Sequence, residues 1–406
     1  MSPRPRLLDL RNILFLLGAF FLAGWFALLL FNLLTEYRGP KGGVDYLAHY
    51  AAGYIMRYVS PARLYDLDLQ IQVQQSVVSA DRVSRYYYYN HTPLLAGILR
   101  WVTTKDYDAS YFRWMLVLVA FHLVSLGFLL VSLRRFQWKV QELWILGISG
   151  LLFAPAFVAC LKGQDSTFLV LGVSLWTFGL LTAGERLAGL GLALAVIRPQ
   201  VALALAIPFL FRQRKVWWWF LAWGAILLVC CTLLVGVQGL EGFLRVLLLS
   251  GQGSGIDVTF MLTLKGALAR LFPALDAQAL AIIGYGGYAL ALLSLCIVWA
   301  RSRLIEVRHI GLAVVFSMVF SPHMHNHDLT LLLIPALCAA TVLAESQIWS
   351  RRWAALLPLG ASLLLAINDI TYIRTLVYLM MLAFALLSWF PCSFASPRSP
   401  LRRTSL

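Results

Sequence analysis

Charge is what this sequence has least of. Only 13% of its 406 residues are charged while 61% are hydrophobic, and its mean hydropathy is +0.79. An ordinary soluble domain carries about 25% charged residues, so composition excludes that class and points to a chain that crosses a membrane repeatedly. Acids are scarcer than bases, 18 against 33, and none falls in the middle of an apolar run. Ion-coupled transporters usually keep ionisable groups and broken helices at that depth, often in two related halves; neither the acid nor an internal repeat is present. Cysteine is sparse as well. The six cysteines lie in or beside apolar stretches, with Cys230 and Cys231 adjacent and the others far apart, which suggests neither a disulfide framework nor a metal knuckle.

What is there is a series of apolar runs separated by short basic clusters. The first run, about residues 12–34, is longer than the roughly 7 to 15 residue core of a signal peptide and is followed by no small-residue cleavage site, so it reads as a span. The net charge of +15 is spread over clusters such as Arg134, Arg135 and Lys139, or Arg301, Arg303 and Arg308, instead of along one face. Membrane orientation explains these clusters better than nucleic acid does. Placing all of them in the cytoplasm requires about twelve spans. The expected fold is therefore an all-α polytopic bundle of about twelve transmembrane helices, with both termini cytoplasmic. Residues 1–391 form one transmembrane domain, 392–406 a basic tail, and the large outer loops are 35–109 and 238–277. Runs 186–197 and 200–211 each rise only about 18 Å as helix, well short of a roughly 30 Å hydrocarbon core. Together they read as a hairpin with Arg198-Pro199-Gln200 at its tip.

The first outer loop carries amphipathic elements. In GGVDYLAHYAAGYIMRY, residues 42–58, Tyr46, Tyr50, Tyr54 and Tyr58 recur at helical spacing and would lie at the headgroup level. Asp45 and His49 stand one turn apart on a neighbouring face. Asp45 is either a helix N-cap, a frequent role for aspartate, or a working carboxylate; Ala48 excludes a capping box. Next, RLYDLDLQIQVQQ alternates apolar and polar residues, and that pattern predicts a strand. Its Asp66-x-Asp68 matches a metal-binding pair but reads more simply as a solvated face. The aromatics of RYYYYNHTP anchor the loop at an interface or stack on a sugar.

Several segments in this order, DYLAHYAAG, LYD, YNHTP, KGQDSTFLVLG, GLGLALAVIRPQ and SPHMHNHDLTLLLIPAL, resemble glycosyltransferase family 87, membrane enzymes of the GT-C fold class that depend on polyprenyl-phosphate sugars. The resemblance runs over about residues 40–345. It implies a GT-C-like bundle in the plasma membrane with its active site outside the cytoplasm, a polyprenyl-phosphate donor with mannose as the candidate sugar, and a lipid or glycan hydroxyl as acceptor. It also implies an essential acid just after the first span, a position that Asp45 matches. Arg198-Pro199 corresponds to the family's basic-proline element, Gly163-Gln164 to its Gly-Gln element, and Ser321-Pro322 with His327 to its late histidine element. The chain departs from the family in having one proline in YNHTP and three histidines at 323, 325 and 327. The family makes residues 66–84 helical, against the strand pattern.

The chemistry fits this topology. No nucleotide-sugar pool exists outside the cytoplasmic membrane, so a transferase there needs a donor carried by lipid. Direct displacement at the anomeric carbon then needs a base for the acceptor proton and cations for the phosphate that leaves. Asp45 is the candidate base, with His327 as the alternative or as an orienting partner; Asp328 beside it would cap the next helix. Arg198 is the candidate phosphate ligand, since a guanidinium binds phosphate bidentately, against the reading of a snorkelling arginine at a hairpin tip. Lys162 is the second choice, and Lys265 and Arg113 follow unranked. Gln164, His49, Tyr89 and His91 complete the candidate substrate contacts. No metal or other cofactor is assigned. A multi-span transporter or lipid flippase is the competing class.

Overall fold

The computed structural model describes residues 10–37, 45–78, 86–182, 184–251, 258–366 and 371–389. Among them every regular element is helical. In chain order the α-helices are α1 (Leu10–Tyr37), α2 (Tyr46–Tyr54), α3 (Leu67–Val77), α4 (Pro93–Val102), α5 (Tyr107–Leu133), α6 (Val140–Leu151), α7 (Ala154–Lys162), α8 (Ser166–Thr182), α9 (Glu185–Leu194) and α10 (Pro199–Ala206). There follow α11 (Arg214–Gly251), α12 (Leu264–Leu271), α13 (Ala277–Arg301), α14 (Val307–Val319), α15 (Leu333–Glu345), α16 (Arg351–Ala355), α17 (Leu357–Ala366) and α18 (Thr371–Trp389).

Five stretches among the described residues are long and apolar enough to cross a membrane: Tyr107–Phe136, Val140–Lys162, Arg214–Leu249, Ala277–Arg301 and Asn326–Glu345. This makes the chain an all-helical membrane protein; five long spans and several shorter apolar helices among the described residues do not establish the expected dozen. Several apolar runs are cut short by their own sequence. Pro155 opens α7 and Pro199 opens α10, where a proline's missing N–H costs nothing but bars continuation of the helix before it. Gly236, with φ of +71°, breaks the long α11 into two helices.

The predicted hairpin is present. Lys215 Nζ lies 3.7 Å from Glu185 Oε2, and Trp223 Nε1 donates to the Arg186 carbonyl at 3.2 Å. The chain that leaves at Glu185 therefore returns to the same place by residue 215, with Arg198 at the turn. Glycines let the hairpin pack closely: a Cβ on Gly191 would stand 2.3 Å from the Trp176 nitrogen, and one on Gly172 would stand 2.9 Å from the Gly191 carbonyl. Small residues at a helix crossing allow backbones to approach in this way.

Two ends of the bundle differ in chemistry. At one end the basic loops bond to each other: Arg351 donates to the Phe136 carbonyl and Arg352 to Asn12 Oδ1, each at 2.9 Å, and Arg212 donates to the Arg303 carbonyl. From this end α5, α8 and α15 run to the other, where the first outer loop packs.

That loop corrects three expectations. The segment after Asp66 is the helix α3, not a strand. Its buried face carries Gln70, Val73 and Gln74, so two polar residues share the packed side that the apolar alternation alone would not assign to them. Gln70 Nε2 donates to the Leu64 carbonyl at 2.7 Å while its Oε1 accepts from the Tyr89 N–H at 2.7 Å, and Gln74 Nε2 donates to the Tyr87 carbonyl at 2.8 Å. Asp66 caps α3 by accepting from the Leu69 N–H at 3.1 Å and pairs with Arg63 at 2.6 Å, leaving no vacant carboxylate pair with Asp68. The tyrosine stripe also differs: Tyr46 and Tyr50 are fully buried, and only Tyr58 at its end is well exposed. Tyr46 packs against Tyr107 and Tyr111 of α5, at 5.6 Å between ring centroids in both cases.

Candidate active site

The site is assembled from short helix ends, each placed by a local rule. Gly163 ends α7 in the left-handed region, φ +70°, a conformation that glycine adopts without strain. Its carbonyl accepts from Trp114 Nε1 at 2.8 Å, and the Gln164 N–H closes the turn on the Ala159 carbonyl at 2.9 Å. The chain then turns into α8 with Asp165 and Ser166 at its mouth. A Cβ on Gly163 would lie 2.6 Å from Tyr46 Cβ, so the Lys162-Gly163-Gln164 turn presses directly on the start of α2, one residue from Asp45.

Asp165 is the centre of the cluster and is completely buried. Arg198 Nη2, from the hairpin tip, donates to its Oδ1 at 2.9 Å. His91 Nδ1 lies 3.0 Å from its Oδ2 and 3.2 Å from Arg198 Nη1. We assign the proton to Nδ1, because a bare ring nitrogen facing a carboxylate would repel it. Burial would raise the Asp165 pKa, but Arg198 and then His91 outweigh it and hold the carboxyl well below the ordinary range. The guanidinium, whose burial opposes its charge, is held protonated by Asp165 and Asp328.

Asp328 is the second buried acid. Its Oδ1 accepts from Ser166 Oγ at 3.0 Å and lies 3.5 Å from Arg198 Nε. Its Oδ2 accepts from the His325 N–H at 3.1 Å and stands 3.7 Å from His327 Nε2. The expected cap is thus made, to the short 3₁₀ segment Asn326–Leu332, and the same carboxylate ties that segment to α8 and the hairpin tip. The loop before it is pinned through His323, whose carbonyl accepts from Gln200 Nε2 at 3.0 Å. His323 and His325 face each other with 3.1 Å between their Nε2 atoms. Burial lowers the pKa of both rings, with His327 adding to the shift at each, and favours the neutral forms in which one ring can donate to the other.

The candidate residues sort as follows. His49, Tyr89, His91 and Arg198 converge with Asp165, and His327 borders the cluster through Asp328. Asp45 and Lys162 both lie within electrostatic reach of His327, and Lys265 within reach of His323. Tyr89 is entirely enclosed, its hydroxyl donating to the Thr92 carbonyl at 2.9 Å; its ring is a wall behind His49 and His91. Arg198 points into the protein, not toward headgroups. Asp45 has helical φ and ψ of −66° and −23° and makes no side-chain capping bond. Sequence reasoning overlooked Asp165. The signal was present in KGQDS, where an acid directly follows the Gly-Gln pair at the edge of an apolar run.

No curated protein and no solved structure matches this chain. The sequence model of glycosyltransferase family 87 does, over residues 89–322, a stretch that includes Asp165 and the hairpin with Arg198 at its tip. A match over more than half of the chain decides between the transferase and transporter classes: the protein belongs to glycosyltransferase family 87.

Proposed function

We propose that the protein moves a sugar, mannose in the first instance, from a polyprenyl-phosphate donor to a lipid or glycan hydroxyl by direct inverting displacement. The reaction takes place at the end of the bundle away from the basic loops, which face the cytoplasm of the cell whose plasma membrane holds it. Asp45 takes the acceptor proton as the new glycosidic bond forms, and the bond to the donor phosphate breaks with its electron pair on the phosphate oxygen. The observation that carries this reading is Asp45 itself: it heads α2 yet spends its carboxylate on no capping bond, while His327 stands within its electrostatic reach to orient the acceptor.

The phosphate needs positive charge. Arg198 is largely neutralised by Asp165 and Asp328, so its role is to present fixed N–H donors. Lys162 forms no ion pair among the described residues and supplies the free charge. Gln164, beside it in the same turn, and His91 line the approach.

A transfer assay with purified protein and a panel of polyprenyl-phosphate sugars tests the reading. Product formation by the wild type and none by Asp45→Asn supports it. Lipid translocation without transfer from any donor would return the protein to the flippase class. The orientation is tested separately by labelling single cysteines in a background lacking the native ones; position 45 reacting only from the cytoplasmic side defeats the scheme.

A further inference from the structure

His49 is a titratable residue of the cluster that the transfer reaction leaves without work. It is 1% exposed, and neither of its ring nitrogens makes a well-formed hydrogen bond, the Asp45 backbone offering only a weaker contact. Its ring stacks on Trp114, 6.1 Å between centroids, and meets the edge of Tyr89 at 5.9 Å. A buried polar atom without a good partner is destabilising, so an imidazole held in this position calls for a ligand. The neighbouring donors say which kind. One ligand atom each from His49, His91 and Asp165 lie within 4.8 Å of one another. They come from three separate parts of the chain: α2, the extended segment before α4, and the turn before α8.

We propose that His49, His91 and Asp165 form a binding site for one divalent transition-metal ion of the zinc type. Two imidazoles and a carboxylate suit such an ion. The ligand is a neutral imidazole, the form that burial between Trp114 and Tyr89 favours for His49. Metal–nitrogen bonds of about 2.0–2.1 Å require the donors to draw together, with the His91 proton moving from Nδ1 to Nε2 when Nδ1 is the ligating atom. Arg198 borders the position: it grips Oδ1 of Asp165 at 2.9 Å, and its Nη1 stands 3.5 Å from Oδ2 and 3.2 Å from His91 Nδ1, so the ion enters from the His49 side and takes over those two looser contacts.

Charge balance points the same way. Asp165 and Asp328 against Arg198 leave one net negative charge in a buried cluster, where an uncompensated charge is costly. A divalent ion reverses that sign and suits the cluster to a neighbouring phosphate. Binding of the ion is independent of the sugar-transfer reading and is measured without substrate, so either can fail alone.

The test uses full-length protein in lipid nanodiscs, purified without a histidine tag, stripped with chelator and titrated with Co²⁺ and then Zn²⁺. We expect one ion per chain, a visible Co²⁺ absorption band from coordinated nitrogen, and a rise in Tm on loading. His49→Phe keeps the ring between Trp114 and Tyr89 and removes both donors, and it should weaken binding by about tenfold or more. His325→Phe, in the other imidazole cluster, should bind as the wild type does. The metal-free melting temperature of each variant shows that it is folded. Absence of stoichiometric binding, binding unchanged in His49→Phe, or binding weakened in His325→Phe overturns the proposal.

Discussion

Asp165 and Arg198, 33 residues apart in the chain, meet in a buried ion pair with 2.9 Å between Oδ1 and Nη2. The pair joins the mouth of α8 to the tip of the hairpin that follows it, and its outer neighbours, His91 and Asp328, bring in the first outer loop and the late histidine segment. Four distant stretches of sequence are thus held at one point by two carboxylates and one guanidinium.

Removing Arg198 leaves two buried carboxylates uncompensated, at a cost of about 3–5 kcal/mol, and removing Asp165 takes from the guanidinium its shortest partner, leaving it the longer contact to Asp328. Asp165→Asn and Arg198→Gln should each lower the unfolding temperature markedly, and the double variant should lose clearly less than the two losses added. Additive losses in a double-mutant cycle would show that the pair is not coupled. Arg198→Lys keeps charge without the planar fork and should restore donor affinity only in part.

Asp45→Asn separates base from cap. Asparagine ranks beside aspartate as a cap but cannot take up a proton as a general base, and here the side chain caps nothing. The variant should insert and melt like the wild type while transferring no sugar. Near-normal turnover would move the base to His327.

Gly163→Ala tests the link between the Gly-Gln turn and Asp45. A non-glycine residue in the left-handed region costs about 1–2 kcal/mol, and the new Cβ meets Tyr46 Cβ at 2.6 Å, so α2 must shift. We expect a modest drop in Tm together with a loss of kcat larger than that drop explains. Full activity would show that the position of α2 is not critical.

His49 makes stability depend on pH. Its pKa falls from the ordinary 6.5 to about 3 in the folded protein, chiefly through burial. Below 6.5 the unfolded chain takes up a proton that the folded one refuses. Its contribution is therefore whole above pH 6.5 and is lost as pH falls toward about 3, by up to about 1.4 kcal/mol for each unit. Asp165, also depressed, adds a loss in the same direction at lower pH. With metal removed, Tm measured from about pH 7 to 4 should fall less steeply in His49→Phe than in the wild type; parallel curves would contradict this.

The membrane class, the helical fold and the hairpin turning at Arg198 were legible in the sequence alone, because hydropathy and the place of a proline are local properties. So was the position of Asp45 at the head of a helix. The four tyrosines, by contrast, show correct helical spacing but gave no sign that α5 would cover two of them. In α3 the inward face is set by Gln70 and Gln74, whose amides replace backbone partners for the segment that carries Tyr89 and His91; an apolar count reads such a face as outside. Asp165 was easy to overlook for a related reason, although it directly follows the Gly-Gln pair. A lone acid at the edge of an apolar run has the sequence signature of a solvated loop residue. What makes it the centre of the cluster is Arg198, His91 and, through Ser166, Asp328, 162 residues away. Local composition settles which segments leave water; which polar groups leave it with them depends on partners that only the folded chain brings near.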